Sequence, residues 1–443
     1  MISEGRARSL LERVLALVEA TKGAEGLVSL RASRAGNTRF AQNEVTTSGE
    51  VDRLTLDVAV QLGQRRASAS TNQLDDRAID DAVSRALRMA HLAPESPETM
   101  PPLGKQSYPR VKPAADPDTV KLSAAARARA VAAAIAAGDA ASVAIAGFYE
   151  HSYDLVVRGS TAGLWASHES THCELSCTAR TSDGTGSGWA GVASNRAGDL
   201  DAAALARTAV DKAVRSQKPQ RLDPGRYTVI LEPAAVASLL AFLIGSLDAR
   251  RADEHRSFFG KPGTNIGDKL FPETITLRSD PGDAAAGGAP FDDDGLALAA
   301  TRWIDRGTLA ALTYSRYWAK HQDKPPTGEP GGWTLDGGPT SRDELIKGVK
   351  RGVLITRFWY LRSLDPQTIL ATGLTRDGTF LIESGEIRGP VNNFRFNESP
   401  IHMLANCDGL GAQSIPGGGE GAGARSPILR SHEFNLASVS EAV

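Results

Sequence analysis

Cysteine is scarce: Cys173, Cys177 and Cys407 are the only thiols in 443 residues, too few and odd in number for a disulfide framework, which points to a reducing compartment. An excess of charge is missing as well. Fifty Lys and Arg stand against 52 Asp and Glu, and acids interleave with bases, as between positions 75 and 88, so there is no basic stripe to neutralise a phosphate backbone and nucleic acid is not an expected partner. No uninterrupted apolar run approaches the roughly 18 residues that a membrane-spanning helix needs. Even the Ala-rich stretch 130–146 contains Asp139. The N-terminal residues carry Glu4, Glu12 and Arg13 inside their apolar pattern and so lack the apolar centre of a secretion signal. These absences predict a cytoplasmic protein with no membrane contact. What remains, 41% apolar and 23% charged residues, is a globular composition. The length exceeds one ordinary core and predicts two domains of roughly 150 to 200 residues.

Apolar residues Leu10, Leu11, Val14, Leu15, Leu17 and Val18 follow the 3.6 period of an amphipathic helix over 8–21, which should lie on a sheet. From Leu54 the pattern changes to strict alternation through Leu56, Val58, Val60 and Leu62, the mark of a half-buried antiparallel strand. Gly63 and Gln64 turn into a second strand, and Asp75 is placed to cap a helix burying Ile79, Val83, Ala86 and Leu87. A proline-rich crossing loop occupies 94–117. An Ala-rich helix near 122–137, strands from 142 to about 193 and a helix opened by Asp201 follow, an order that echoes the first half and is consistent with an internal duplication. Residues 218–225 are polar and turn-rich, as a domain boundary should be. Beyond them lie a strand at 228–231, a helix from Pro233, many short strands punctuated by Gly and Pro, and a helix from Ser341 to about Lys350. The expected fold class is α+β: an N-terminal domain (1–220) of antiparallel sheets with packed helices, and a C-terminal domain (225–443) that is mainly antiparallel β with few helices.

His168-Glu169-Ser170-Thr171-His172 matches the H-E-x-x-H pattern of zinc proteases. That chemistry needs a helix, where residues four apart stand about 6 Å from one another on one face. In a strand the same spacing is about 13 Å. Here Trp165, Cys173, Leu175 and Cys177 alternate with Ala166, His168, Ser170, His172 and Glu174, so the segment reads as a strand whose His pair cannot share one zinc unaided. Cys173 and Cys177 occupy the opposite, more apolar side as small buried groups. Phe291-Asp292-Asp293-Asp294-Gly295 lacks the spaced acids and terminal Glu of a calcium loop and reads as a polar turn. Gly417-Gly418-Gly419-Glu420-Gly421 lacks the Lys-Ser/Thr end of a phosphate loop and reads as a flexible loop.

Along nearly its whole length the chain resembles the TldD/PmbA family. The resemblance is carried by the alternating strand 54–62 with Gly63, the helix 75–90, the Phe291 to Gly295 turn, the segment 317–328 ending in Thr327-Gly328, and Asn406-Cys407-Asp408-Gly409, in that order. It implies a two-domain α+β subunit that dimerises around an internal cavity where an unfolded or leader peptide is cut. In the active, TldD-like members an H-E-x-x-x-H motif on the first helix of the C-terminal domain, with a Cys near the chain end, holds zinc. The implied positions fall here on Ala241, Phe242 and Ser246, with Cys407 near the remaining ligand position. Methyl and phenyl groups offer no donor atom. The resemblance therefore implies the TldE/PmbA-like branch: a non-catalytic subunit with no cofactor of its own, completing a heterodimer with a TldD-like catalytic subunit that carries the zinc. Thr327 and Gly328 are the peptide-binding candidates that the family-like segment supplies. Two alternatives remain: an independent metalloprotease using His168 and His172 or another hydrolase, and a homodimeric peptide-binding protein without protease activity.

Overall fold

The computed structural model describes residues 2–109, 111, 114–418 and 423–441. Helix α1 (Glu4–Glu19) is capped by the Ser3 hydroxyl, which accepts the Arg6 N–H, and it buries Ala7, Leu11, Val14 and Val18 at helical spacing. Three strands follow: β1 (Ala24–Ala41), β2 (Glu44–Leu62) and β3 (Arg65–Thr71). Helix α2 (Asp76–Leu92) starts where the Asp75 carboxylate accepts the Ala78 N–H. The proline-rich connection ends in the short helix α3 (Pro117–Val120).

The order then repeats. Helix α4 (Ala124–Ala140) leads into β4 (Ala144–Ser160), β5 (Trp165–Arg180), β6 (Ser187–Ser194) and helix α5 (Ala202–Arg215), the last capped by Asp201. The six strands form one antiparallel sheet in the order β3-β2-β1-β4-β5-β6, so the two like units meet at the β1–β4 pair. Helices cover one face. Leu11, Val14, Ile79 and Val83 pack on Val28, Leu30, Leu56 and Val58, while Val131, Ala206 and Ala209 pack on Ile145, Leu175 and Cys177. Strand β2 begins ten residues before the alternation at 54–62, because Glu44 to Arg53 form an exposed ribbon with no buried side to alternate.

The second half opens with β7 (Gly225–Leu231), helix α6 (Pro233–Ile244) and helix α7 (Ala249–Asp253). Strands β8 (Leu277–Ser279), β9 (Thr301–Asp305), β10 (Thr308–Leu309) and β11 (Trp333–Leu335) make a small sheet in the order β10-β9-β8-β11. Helices α8 (Arg316–His321) and α9 (Arg342–Lys347) precede the larger sheet. Helix α9 carries a capping box between Ser341 and Glu344 and ends at Lys347, three residues before the expected stop, where Gly348 caps it.

The larger sheet comprises β7, β12 (Arg351–Asp365), β13 (Leu370–Glu383), β14 (Glu386–Pro390), β15 (Asn393–Glu398), β16 (Cys407–Ser414) and β17 (Ser426–Ser440), with helix α10 (Pro400–Ala405) before β16. Its path β12-β7-β17-β15-β13 closes, since β13 also pairs with β12. Several of these strands are long, not short: β12 and β17 each run 15 residues. They are long because they find partners along their whole length: β17 pairs in turn with β16, β7 and β15, and β12 pairs with β13 from Arg351 to Asp365. Phe358, Phe396 and Phe434, from three ring strands, pack together with centroids 4.3 to 5.8 Å apart. The architecture is α+β in two domains. Among the described residues no helix is long and apolar enough to cross a membrane, which says nothing of a strand-built barrel.

A buried joint ties the two halves. Asp377, 1% exposed, accepts from Arg357 Nε at 2.7 Å and from the Ser187 hydroxyl of β6. The Arg357 guanidinium lies 5.0 Å from the Trp189 ring centroid. Asp377 sits at φ 56° and Gly378 at φ 123°, backbone that turns the strand toward Ser187.

Candidate functional site

Helix α6 is where the family resemblance implies zinc ligands. It is buried almost all round, with Val236, Leu239, Leu240 and Leu243 in the core; Ala241 is exposed, and Phe242 and Ser246 are half-buried. The Ser246 hydroxyl donates to the Phe242 carbonyl at 2.8 Å, so the one polar atom of the three is committed to backbone. Cys407 opens β16 and is 2% exposed, its Sγ 3.6 Å from the Gly409 carbonyl. Burial pushes its thiol up to about 11, so it is not a thiolate at neutral pH. A methyl and a phenyl ring offer no donor atom and the one hydroxyl is committed, so Ala241, Phe242 and Ser246 do not fit a zinc ion.

The Phe291 to Gly295 segment is a turn. The Asp292 Oδ1 accepts from the N–H groups of Asp294 and Leu296, at 3.0 and 2.9 Å. Burial, reinforced by Asp294, raises the Asp292 carboxyl above its usual value. The turn also docks onto the first sheet. Asp293 takes Arg31 Nη2 at 2.8 Å together with the nearly buried Arg158, and the Tyr108 hydroxyl donates to the Gly295 carbonyl at 2.8 Å. Gly328, at φ 69°, backs onto Asp292 and leaves no room for a side chain. The Thr327 hydroxyl accepts the Tyr314 N–H at 2.8 Å. The two peptide-binding candidates thus lie beside this turn, with the Thr327 side chain engaged internally.

His168 and His172 lie on β5, on the face away from the helices. They do not share a site. His168 packs its ring against Phe291 with centroids 6.5 Å apart, and burial lowers its pKa. His172 instead faces Glu174 on the same strand, Nε2 to Oε2 3.7 Å, and Glu150, which β4 places directly opposite Glu174. One ligand atom from each of Glu150, His172 and Glu174 falls within 4.8 Å of the others. This is the one such grouping of three His, Cys, Asp or Glu among the described residues. Glu174 holds His172 above its usual pKa, His172 holds Glu174 below its own, and burial followed by the neighbouring Glu174 raises Glu150. The Gly418 N–H of the second half donates to Glu174 Oε2 at 3.2 Å. Gly419, Glu420 and Gly421 of the glycine-rich stretch lie outside the described residues.

Cys173 and Cys177 face the helices, as their alternation with the histidines predicts, and burial pushes both thiols up to about 12. Two other histidines that look isolated in the chain also find acids. His402 Nδ1 is 3.0 Å from Glu398, and His432 joins Thr228 Oγ1 at 3.0 Å to Asp408 at 2.8 Å. The second set has the membership of a nucleophile–base–acid chain, but Asp408 is shared with Arg430 Nε at 2.7 Å, which makes it an ion-pair tie between β16 and β17. A hollow of about 600 Å³ on the first sheet is lined by Arg6, Ala32, Asp52, Arg53, Leu54 and Leu74, none of them a sequence candidate. Apart from Glu398 and His402, which are four residues apart, these clusters could not be found from sequence, because they depend on strand register between segments distant in the chain.

Residues 224–438 match the PmbA/TldA metallopeptidase C-terminal domain, and residues 109–217 match the central domain of the same family. The metalloprotease PmbA of Escherichia coli O157:H7 is 23% identical over 407 residues, covering 88% of this chain and 87% of that protein. A metalloprotease of Methanothermobacter thermautotrophicus is 27% identical over 224 residues, but the match spans only 48% of its length and 47% of this chain. Among solved structures, TldE from Thermococcus kodakarensis superposes with a TM-score of 0.82 at 17% identity, covering 97% of this chain and all of that one. A candidate modulator of DNA gyrase from Thermotoga maritima gives 0.85 at 17% identity, with coverage of 97% and 100%. At such identities the structural likeness speaks to the fold alone.

Proposed function

The chain belongs to the PmbA/TldD metallopeptidase family, TldE/PmbA-like, and from that membership we propose that it is a non-catalytic subunit which completes a peptide-holding cavity beside a zinc-bearing, TldD-like subunit in the cytoplasm. The observation that carries this reading is the chemistry at the end of helix α6: Ala241 and Phe242 in its last turn, and Ser246 just past it, stand where water-activating groups are implied and can neither bind a metal nor take a proton from water. Peptide bond cleavage then has to come from another polypeptide. The substrate would be an unfolded or leader peptide, held through backbone pairing with little side-chain selectivity. The outer half of β2 supports this mode: β3 pairs with Leu56 to Leu62, and among the described residues no strand pairs with the other edge of Glu44 to Arg53. With 50 basic and 52 acidic residues interleaved, no role on DNA is proposed.

Reconstitution tests the reading. The isolated chain should leave an unstructured peptide intact, a TldD-like subunit should co-elute with it, and the mixture should hydrolyse the peptide. Hydrolysis by the isolated chain, or a chain that elutes unchanged beside the TldD-like subunit, overturns it. A homodimer that binds peptide without any protease partner is the outcome that would replace it.

A further inference from the structure

We propose that Glu150, His172 and Glu174 form a divalent-cation site, with zinc as its best-matched ion, on the open face of the first sheet and apart from helix α6. Three geometric facts converge. The ligand atoms lie within 4.8 Å of one another, as three donors around one ion must. The His172 Nε2 to Glu174 Oε2 separation of 3.7 Å is too long for a hydrogen bond, which runs about 2.7 to 3.2 Å. It is a few tenths longer than the edge, about 3.4 Å, of a tetrahedron built on zinc bonds of about 2.1 Å. Finally, β4 and β5 set Glu150 directly opposite Glu174. Like charges facing across a strand pair repel, and a cation shared between the two carboxylates would offset that repulsion.

The donor set selects the ion. One imidazole and two carboxylates suit zinc or manganese, whereas calcium and magnesium prefer all-oxygen shells. Three protein ligands with His172 open to solvent leave a fourth position for water. The Gly418 N–H on Glu174 Oε2 would orient that ligand from outside, a contact that joins the site to the second half of the chain. His168 has no part in it, since its ring is turned to Phe291.

The test uses the untagged full chain, stripped with a chelator and titrated with zinc against a chromophoric competitor. We expect one zinc per chain, a rise in melting temperature on loading, and a loss of at least about tenfold in affinity in both His172→Ala and Glu150→Gln, with His168→Ala unchanged. Cobalt in place of zinc should give a visible d–d band that the first two variants lose. Melting without metal checks that each variant folds, and the isosteric Glu150→Gln carries the test should His172→Ala not fold. If the chain takes up no zinc, or the Glu150 and His172 variants bind it as well as the parent, the three groups are an ion pair with a neighbour and the proposal fails. Peptide hydrolysis separates this from the preceding reading. Zinc bound at His172 without hydrolysis leaves both standing, whereas hydrolysis lost in His172→Ala sinks the non-catalytic role and keeps the site.

Discussion

Removing the Asp377 carboxylate should loosen the joint between the two halves more than any single surface change. Asp377 is 1% exposed and Arg357 is 8% exposed, so Asp377→Ala takes the facing carboxylate from a nearly buried guanidinium. Breaking one side of a buried pair costs about 3 to 5 kcal/mol. Alanine at φ 56° adds about 1 kcal/mol, because left-handed backbone suits Asp and Asn better. Asp377→Asn keeps the backbone tolerance and an acceptor oxygen and loses only the charge-assisted part, about 1.5 to 3 kcal/mol. At roughly 2 to 4 °C per kcal/mol for a unit of this size, the alanine variant should melt at least about 8 °C below the parent and the asparagine variant between the two. Ser187→Ala supplies the cross-check, since its hydroxyl donates to the same carboxylate: its cost should shrink sharply once residue 377 is alanine. Thermal unfolding followed by near-ultraviolet circular dichroism reads the parent, the three single variants and the Ser187→Ala/Asp377→Ala double variant. An alanine variant within about 1 kcal/mol of the parent, or a Ser187→Ala cost that is the same in both backgrounds, would refute the account of the joint.

Asp292 tests the docking turn with pH. Its carboxyl is raised by burial, so the folded state holds the proton more tightly than the unfolded one; the stability this brings is complete below the unfolded value near 3.9 and is lost as pH rises through the raised folded value. Asp292→Asn keeps the acceptor for Asp294 and Leu296 and should match or slightly exceed the parent at pH 7 while losing its advantage near pH 4; Asp292→Ala should cost about 1 to 3 kcal/mol, and urea midpoints at both pH values decide. With Cys407 raised to about 11 and Cys173 and Cys177 to about 12, no thiol should react with iodoacetamide at pH 8 until the chain unfolds, when all three react; rapid labelling of native Cys407 contradicts its placement.

Local signals were legible in the sequence and register was not. Asp75, Asp201 and Ser341 announce helix starts because a cap and the first turn it serves are adjacent in the chain. The strand character of 165–180 follows from alternation, which disposed of the H-E-x-x-H match without coordinates. Strand β1 carried no clear signal: Ala32, Arg34, Gly36 and Thr38 interrupt its buried side with small or polar residues, and a buried Ser29 and an apolar Ala35 on the other side break the alternation. The cluster of Glu150, His172 and Glu174 exists only through the β4–β5 register, and the Asp293 contact only through docking of a distant turn. Neither leaves a spacing to read.

The pairing of β1 with β4 has a consequence for how such a chain can be assembled. Each helix–three strands–helix unit ends inward in a strand of 17 or 18 residues whose outer peptide groups are met only by its counterpart. A lone unit would display that row of unmet N–H and C=O groups to the solvent, an invitation to self-pairing. Carrying both copies on one polypeptide supplies the mate at high local concentration and closes the seam before a stranger can.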